Sequence, residues 1–137
     1  MEPARIARLP LFAELDDEQR AEVASCVREV EVEAGTTLAT QGDNAYEFFV
    51  IEEGEAEVRR DGELIGSLRP GDAFGEIGLL VTGTRTASVV ATSPMKLVAM
   101  FSREFKRIEQ RMPAVAGTLR ATMRDRVAQA PIHGPRP

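Results

Sequence analysis

The stretch 46–68 constrains the fold more than any other part of the chain. It reads YEFFVIEEGEAEVRRDGELIGSL, in which an apolar run ends at Gly54 and is followed by Ala56 and Val58 alternating with charged residues. The pair Asp61-Gly62 then separates two alternating segments, which is a strong β-hairpin signal. A period of two indicates strands, because neighbouring side chains of a strand lie on opposite faces. The stretch therefore predicts three short strands, the last two joined by a tight turn.

Further short strands are predicted on both sides of this stretch. Val30 and Val32 alternate with glutamates, and the segments TASVVAT and KLVAMF are separated by Ser93-Pro94. Turns are predicted at AGTT (34–37) and at RPGD (69–72). Short strands with a turn after about every eight to twelve residues are typical of a small antiparallel sandwich or barrel. Residues 28–101 are therefore assigned to one β-unit.

The N-terminal segment 9–27 has a helical pattern. Asp16 is a candidate N-cap, and Gln19 three residues later completes a capping-box sequence. We interpret Cys26 as a small buried core residue, and four apolar residues before the helix as a clasp that seats it (Leu9, Leu11, Phe12 and Leu15).

A helical period returns over residues 102–130. Ser102 is the candidate N-cap of the first helix, SREFKRIEQRM, and Pro113 is placed to open the second. In the second helix Val115 and Leu119 form an apolar stripe that Arg126 continues. The tail 131–137, with three prolines and a glycine, is expected to be frayed.

Composition narrows the class of protein. A chain of 137 residues with 43% hydrophobic residues is expected to be one globular domain. No apolar run reaches the roughly 20 residues of a membrane span, and the net charge of −5 disfavours a nucleic-acid binder. A single cysteine cannot form an internal disulfide, which suits a cytoplasmic protein.

The segment 74–88, FGEIGLLVTGTRTAS, is the strongest candidate for a binding site. It resembles a strand that runs into one helical turn, whose first N–H groups have no internal partner and favour an anion. Gly75 allows a ligand to approach the backbone closely. Arg85 has no acidic residue between Glu76 and Glu104, so its guanidinium is available for a phosphate.

Two neighbouring side chains extend this interpretation from an anion to a nucleotide. Glu76 only accepts hydrogen bonds when ionised, and it therefore suits a sugar hydroxyl. Thr86 can offer a hydroxyl to the phosphate or to a base. The alternative is a Glu76–Arg85 ion pair that stabilises the loop.

FGEIGLL followed by RTAS resembles the phosphate-binding cassette of the cyclic nucleotide-binding domain family. The resemblance extends over nearly the whole chain and includes the QGD turn at 41–43. It implies an α+β, mainly β fold: an eight-stranded antiparallel double-stranded β-helix, or jelly roll, with an N-terminal helix and two C-terminal helices. The family pattern further implies that Gly75, Glu76 and Ile77 supply backbone N–H groups, that Glu76 holds the ribose 2′-hydroxyl, and that Arg85 pairs with the cyclic phosphate.

The resemblance also assigns residues around the base. Thr86 matches a position whose hydroxyl favours guanine in some members, and Val58 and Leu68 match apolar positions that flank the base. Arg126 matches an arginine of the last helix that reaches over the base in channel members. On this view the stripe of Val115 and Leu119 faces the pocket, whereas Arg120 and Arg124 are expected to be solvent-exposed.

The function implied is a sensor module that binds cAMP, with cGMP as the second candidate, and that closes its C-terminal helices over the ligand. It is expected to need no cofactor, to be no enzyme, and to act on an unidentified partner or effector domain, since no DNA-binding helix-turn-helix follows the last helix. One alternative is a member that has lost ligand binding and serves as an interaction scaffold. A cupin-type metal enzyme, the other alternative, is disfavoured because His133 is the only histidine.

Overall fold

The computed structural model describes residues 1–75 and 83–128, with side chains described as far as Ala121. Its helical elements are α1 (Pro3–Ile6), a 3₁₀ turn (Pro10–Phe12), α2 (Asp17–Cys26), α3 (Ser102–Arg111) and α4 (Pro113–Ala128). Its strands are β1 (Arg28–Val32), β2 (Thr37–Ala39), β3 (Glu47–Glu53), β4 (Ala56–Arg60), β5 (Glu63–Leu68), β6 (Ala73–Phe74), β7 (Ser88–Ala91) and β8 (Met95–Phe101).

The strands form two four-stranded sheets. One sheet has the order β1-β8-β3-β6 and the other the order β2-β7-β4-β5, and each neighbouring pair is antiparallel. Strands distant in sequence are neighbours, as β1 with β8 and β4 with β7. The eight-stranded antiparallel roll flanked by N- and C-terminal helices is confirmed.

The sheet β1-β8-β3-β6 separates two hydrophobic cores. Phe48 and Val50 of β3 belong to the core shared with the helices, whereas Phe49 and Ile51 of the same strand belong to the core between the two sheets. We call these the helical core and the roll core. Successive residues of β3 enter the two cores in turn, because side chains alternate across a sheet.

The N-terminal segment folds as its sequence indicates. The backbone N–H of Gln19 donates to Asp16 Oδ1 at 2.8 Å, and that of Asp16 donates to Gln19 Oε1 at 3.0 Å, which completes the capping box. The apolar clasp is buried in the helical core, and Cys26 is buried there as well. Arg5 of α1 pairs with Glu29 and Glu52, so it ties α1 to the sheet.

The predicted hairpin turn is present, since Asp61 and Gly62 both have positive φ and link β4 to β5. The AGTT turn is present at Ala34 and Gly35, and Thr37 at its end already starts β2, where it pairs with Val90 of β7. One local expectation was wrong. Ser102 is not the N-cap of α3 but its first residue, and its backbone N–H donates to the carbonyl of Tyr46 at 2.8 Å.

Helix α4 begins at Pro113 as predicted, but its apolar stripe is buried in the helical core and not in the roll core. Val115 and Leu119 lie in the helical core with Phe12 of the 3₁₀ turn and with Ile108 of α3. The expectation that this stripe faces the nucleotide pocket is therefore wrong. Within the described ranges, no helix is both long and apolar enough to cross a membrane.

Replacing Asp16 with alanine is expected to lower the free energy of unfolding by about 1 kcal/mol, because the N-terminal N–H groups of α2 lose their cap. Urea unfolding followed by far-UV circular dichroism measures the change. Glu18→Ala is the matched control, since Glu18 also lies in the first turn of α2 but does not cap it. Equal losses for both variants would contradict a capping role for Asp16.

Candidate anion-binding site

The backbone of Arg85 is held by the QGD turn. Its N–H donates to the carbonyl of Asp43 at 2.7 Å, and its carbonyl accepts from the N–H of Gly42 at 2.9 Å. A third bond, from Ala45 N–H to the carbonyl of Gly83 at 2.9 Å, fixes the segment just before it. The turn and the arginine segment are thus joined although about 40 residues separate them in sequence.

The side chain of Arg85 is buried, with 8% of the residue exposed, and it is the one buried charged residue within the described part of the chain. Its guanidinium carbon lies 5.9 Å from the centre of the Phe49 ring, and its Nη1 has no hydrogen-bond partner among the described residues. Burial lowers the pKa of the guanidinium, and the negative charge of Glu47 opposes that shift. A buried cation with an unpaired donor is costly for the ligand-free protein, and an anion would relieve that cost.

Gly75 lies directly against this guanidinium. Its φ is 91°, and a Cβ added there would collide with Arg85 Nη1 and approach the carbonyl oxygen of Glu47 to 3.1 Å. The sequence indicated a glycine that lets a ligand approach the backbone. The structure adds a second reason for the glycine, because the arginine passes against the same backbone.

A cavity of about 470 Å³ opens beside Arg85. Its size is within the usual range for small-molecule sites. Its lining combines hydroxyl, amide and carboxylate groups with the guanidinium (Thr37, Leu38, Ala39, Thr40, Asp43, Asn44, Tyr46, Glu47 and Arg85). Sequence reasoning missed Glu47, the first residue of β3, and Tyr46 directly before it, both of which lie far from the cassette in the chain.

The apolar candidates lie inside the roll. Val58 and Leu68 are 2% and 1% exposed, and both belong to the roll core with Phe49 and Phe74. The rings of these two phenylalanines stack at 4.9 Å, which links β3 to β6 immediately before Gly75. Val58, Leu68 and Arg85 are therefore assembled around the same core.

Thr86 is partly buried next to Arg85, and its carbonyl accepts a hydrogen bond from Arg60 Nε at 3.1 Å. The hydroxyl of Ser88 accepts from the backbone N–H of Gln41 at 2.9 Å, so it already serves the QGD turn. Of these two hydroxyl residues, Thr86 is the better candidate for a ligand contact.

Several predicted site residues are outside this description. Glu76 and Ile77 lie outside the described residues, and the alternative Glu76–Arg85 ion pair lies there with them. Arg126 is within α4, but its side chain and that of Arg124 are beyond the described side chains, and His133 lies outside the described residues altogether.

Arg120 differs from its expected position. It is partly buried, its Nη2 lies 2.7 Å from Glu109 Oε1, and its guanidinium lies over the ring of Phe105 at 5.3 Å. The expectation of a solvent-exposed Arg120 is wrong, because this residue joins α4 to α3. In the same part of the chain Arg111 pairs with Glu22 of α2 at 3.1 Å. Both arginines therefore link helices of the helical core.

Within the part of the chain that the structure describes, no group of three or more His, Cys, Asp or Glu side chains could hold a metal ion.

Comparison with known proteins identifies the family. The family model described as "Cyclic nucleotide-binding domain" matches residues 29–112, which is more than half of the chain. The N-terminal domain of a transcriptional regulator from Streptomyces coelicolor has a TM-score of 0.77 and 32% identity, with 92% of each chain covered. The chain belongs to the cyclic nucleotide-binding domain family.

Other relatives support the fold and the family. A putative cyclic nucleotide-binding protein from Geobacter metallireducens superimposes with a TM-score of 0.84 at 23% identity, covering 94% of this chain and 97% of that one. The chain is 36% identical over 98 residues to the cAMP-dependent protein kinase regulatory subunit of Yarrowia lipolytica. This match covers 72% of the chain but 26% of that relative. A cGMP-dependent protein kinase of Caenorhabditis elegans, egl-4, is also 36% identical, and 13% of its length is covered.

Replacing Gly75 with alanine is expected to destabilise the protein more than replacing Gly83. Both glycines have positive φ, but a Cβ at Gly83 would meet nothing within 4 Å. Gly83→Ala should therefore show only the backbone strain, about 1–2 kcal/mol. Gly75→Ala should lose about a further 1–3 kcal/mol through the collision with Arg85 and β3. Urea unfolding of the ligand-free variants measures both, and equal losses would contradict the close packing of Arg85 against Gly75.

Proposed function

We propose that this chain is a sensor module that binds a 3′,5′-cyclic purine nucleotide, with Arg85 as the main ligand of the cyclic phosphate. The observation that carries this proposal is the buried guanidinium of Arg85, whose Nη1 has no partner among the described residues, beside a cavity of small-molecule size. Membership of the cyclic nucleotide-binding domain family supports the choice of anion. A cyclic phosphodiester carries one negative charge, and the planar donors of arginine suit its oxygens.

The other roles follow from the family pattern around this arginine. Gly75, Glu76 and Ile77 are proposed to offer backbone N–H groups to the phosphate, and the Glu76 carboxylate to accept a hydrogen bond from the ribose 2′-hydroxyl. Val58 and Leu68 are proposed to provide the apolar surface beside the base. Their place in the same core as Phe49, which the guanidinium overlies, supports this assignment.

Between the two nucleotides we favour cAMP. The relatives include a regulatory subunit of a cAMP-dependent protein kinase and a cGMP-dependent protein kinase, so relatedness alone does not separate the two nucleotides. Thr86 can give cGMP one hydrogen bond that cAMP cannot use, with a net gain of about 0.5–1.5 kcal/mol. A gain of this size is small beside the phosphate contact, so cGMP is expected to bind measurably but not to be strongly preferred.

The proposed output is a rearrangement of the C-terminal helices that a partner protein or domain detects. Ligand binding shifts such a rearrangement only as far as the ligand prefers one arrangement over the other. We propose that the described position of α4, packed in the helical core, is one of the two arrangements.

The Arg85→Ala variant is expected to bind cAMP and cGMP about thirty- to several-thousandfold more weakly, because removing one partner of a buried charge pair costs about 2–5 kcal/mol. Titration with a fluorescent cAMP analogue, confirmed by calorimetry with both nucleotides, measures the loss. Arg59→Ala is the matched control, since Arg59 is exposed on β4 and pairs with Glu57. Wild-type affinity in the Arg85→Ala variant would reject the proposed site. Absence of binding by the wild-type protein would favour the scaffold alternative.

The Thr86→Ala variant is expected to weaken cGMP by about two- to tenfold while changing cAMP less, because only the guanine contact is lost. Calorimetry with both nucleotides on one protein preparation gives the ratio. Ser88→Ala serves as a control, because the Ser88 hydroxyl is bonded to the backbone of Gln41. Equal weakening of both nucleotides by Thr86→Ala would remove Thr86 from a discriminating role.

A further inference from the structure

Glu47, the first residue of β3, places a negative charge beside the proposed anion site. It lines the same cavity as Arg85, and its side chain is 20% exposed. Asp43 also lines this cavity, and among the described residues it is the negative charge of Glu47 that opposes the lowering of the Arg85 pKa by burial. A carboxylate in this position attracts the arginine and repels any anion that approaches it.

The carboxylate of Glu47 has a different ion-pair partner. Arg28, the first residue of β1, places its Nη2 3.1 Å from Glu47 Oε2. Since its side chain is more exposed than that of Glu47, Arg28 lies on the outer side of the pair. Glu47 is therefore paired with Arg28 at the surface and also lines the cavity beside Arg85.

The position of Arg28 is itself fixed at the junction of the roll and the helices. Its guanidinium lies over the ring of Phe101 at 4.9 Å, and Phe101 is the last residue of β8, directly before α3. Glu47 and Phe101 are register partners in the β3–β8 pair. The three side chains of Arg28, Glu47 and Phe101 thus form one contact group at the start of α3.

We propose that Glu47 is an internal counter-ion that limits the affinity of the Arg85 site for its anionic ligand, and that Arg28 restrains Glu47 from competing with that ligand. This inference rests on the proposed function, because it takes the cyclic phosphate as the ligand of Arg85. Neither residue is proposed to touch the nucleotide, so both are positioning residues.

The proposal follows from the balance of charges. Without a ligand, Glu47 partly compensates the buried cation. When a phosphate pairs with Arg85, this compensation is no longer needed and the two anions repel each other across the cavity. Arg28 then neutralises Glu47 at the surface, which lowers the repulsion. Because Arg28 is also stacked on Phe101, the charge next to Arg85 is physically linked to the start of α3.

A double-mutant cycle tests this proposal. The dissociation constant of a fluorescent cAMP analogue is measured for the wild-type protein, Glu47→Gln, Arg28→Gln and the double variant. Glu47→Gln is expected to tighten binding about three- to tenfold, and Arg28→Gln is expected to weaken it by a similar factor. A change of this size corresponds to one partly screened charge interaction. The double variant should bind as Glu47→Gln does, because Arg28 acts only through Glu47.

Two matched controls separate this coupling from a general change of charge. Arg103 also overlies the Phe101 ring, at 5.4 Å, but it pairs with Glu104, so Arg103→Gln should leave the affinity unchanged. Glu53 lies at the other end of β3 with Lys96, so Glu53→Gln should leave it unchanged as well. Arg28→Lys keeps the positive charge and is expected to retain most of the wild-type affinity. Urea unfolding confirms that each variant is folded.

The outcomes distinguish this inference from the proposed function. If Arg28→Gln weakens binding equally with and without Glu47, or if Glu47→Gln fails to tighten it, the inference is wrong while the nucleotide site stands. If the wild-type protein does not bind the analogue or unlabelled cAMP and cGMP, the proposed function is wrong and the inference is overturned with it.

Discussion

The rest of the structure depends on two strands, β3 and β8, that are buried on both faces of their sheet. In the sheet β1-β8-β3-β6, one set of side chains packs against the helices and the alternate set packs inside the roll. This explains why Phe48, Phe49, Val50 and Ile51 can follow one another without a polar residue between them. The apolar run of β3 therefore contributes to both the helical core and the roll core that adjoins the proposed binding site.

Arg85 interrupts this apolar arrangement. Its backbone is held on both sides by hydrogen bonds to the QGD turn, and its side chain lies over Phe49 and against Gly75. Among the described residues, Nη1 of this buried cation has no hydrogen-bond partner. Such an arrangement costs stability, and it would suit the proposed anionic ligand, which is a common relation between stability and function.

Local patterns predicted the elements whose cause is local. The capping box of α2, the Asp61-Gly62 turn and the alternation in β3 and β4 depend on neighbouring residues, so the sequence was sufficient for them. Strand β2 has only three residues and is a strand because β7 pairs with it, a partner that lies far away in the chain. The motif 74–88 likewise identified Arg85, but Glu47 is brought to it by the tertiary fold and carries no sequence signal of its own.

The apolar stripe of α4 also shows that a local sequence pattern does not identify tertiary partners. Its period correctly indicated that Val115 and Leu119 are buried, but a period identifies a face of a helix and not the surface against which it packs. Here that surface is the helical core, on the far side of the central sheet from the roll core. A role for Arg126 over the base is therefore supported only by the resemblance to channel members.

The burial of α4 in the helical core also sets a threshold for any signal that this helix transmits. Val115, Ala116 and Leu119 are at most 2% exposed, and the burial of a Val or Leu side chain contributes about 1.5–3 kcal/mol. A movement of α4 towards the roll would give up contacts of this size, and the ligand would have to supply the difference. Each 1.4 kcal/mol of docking free energy corresponds to about a tenfold higher ligand concentration at half-response. The sensitivity of the module can therefore be adjusted through residues that never meet the ligand.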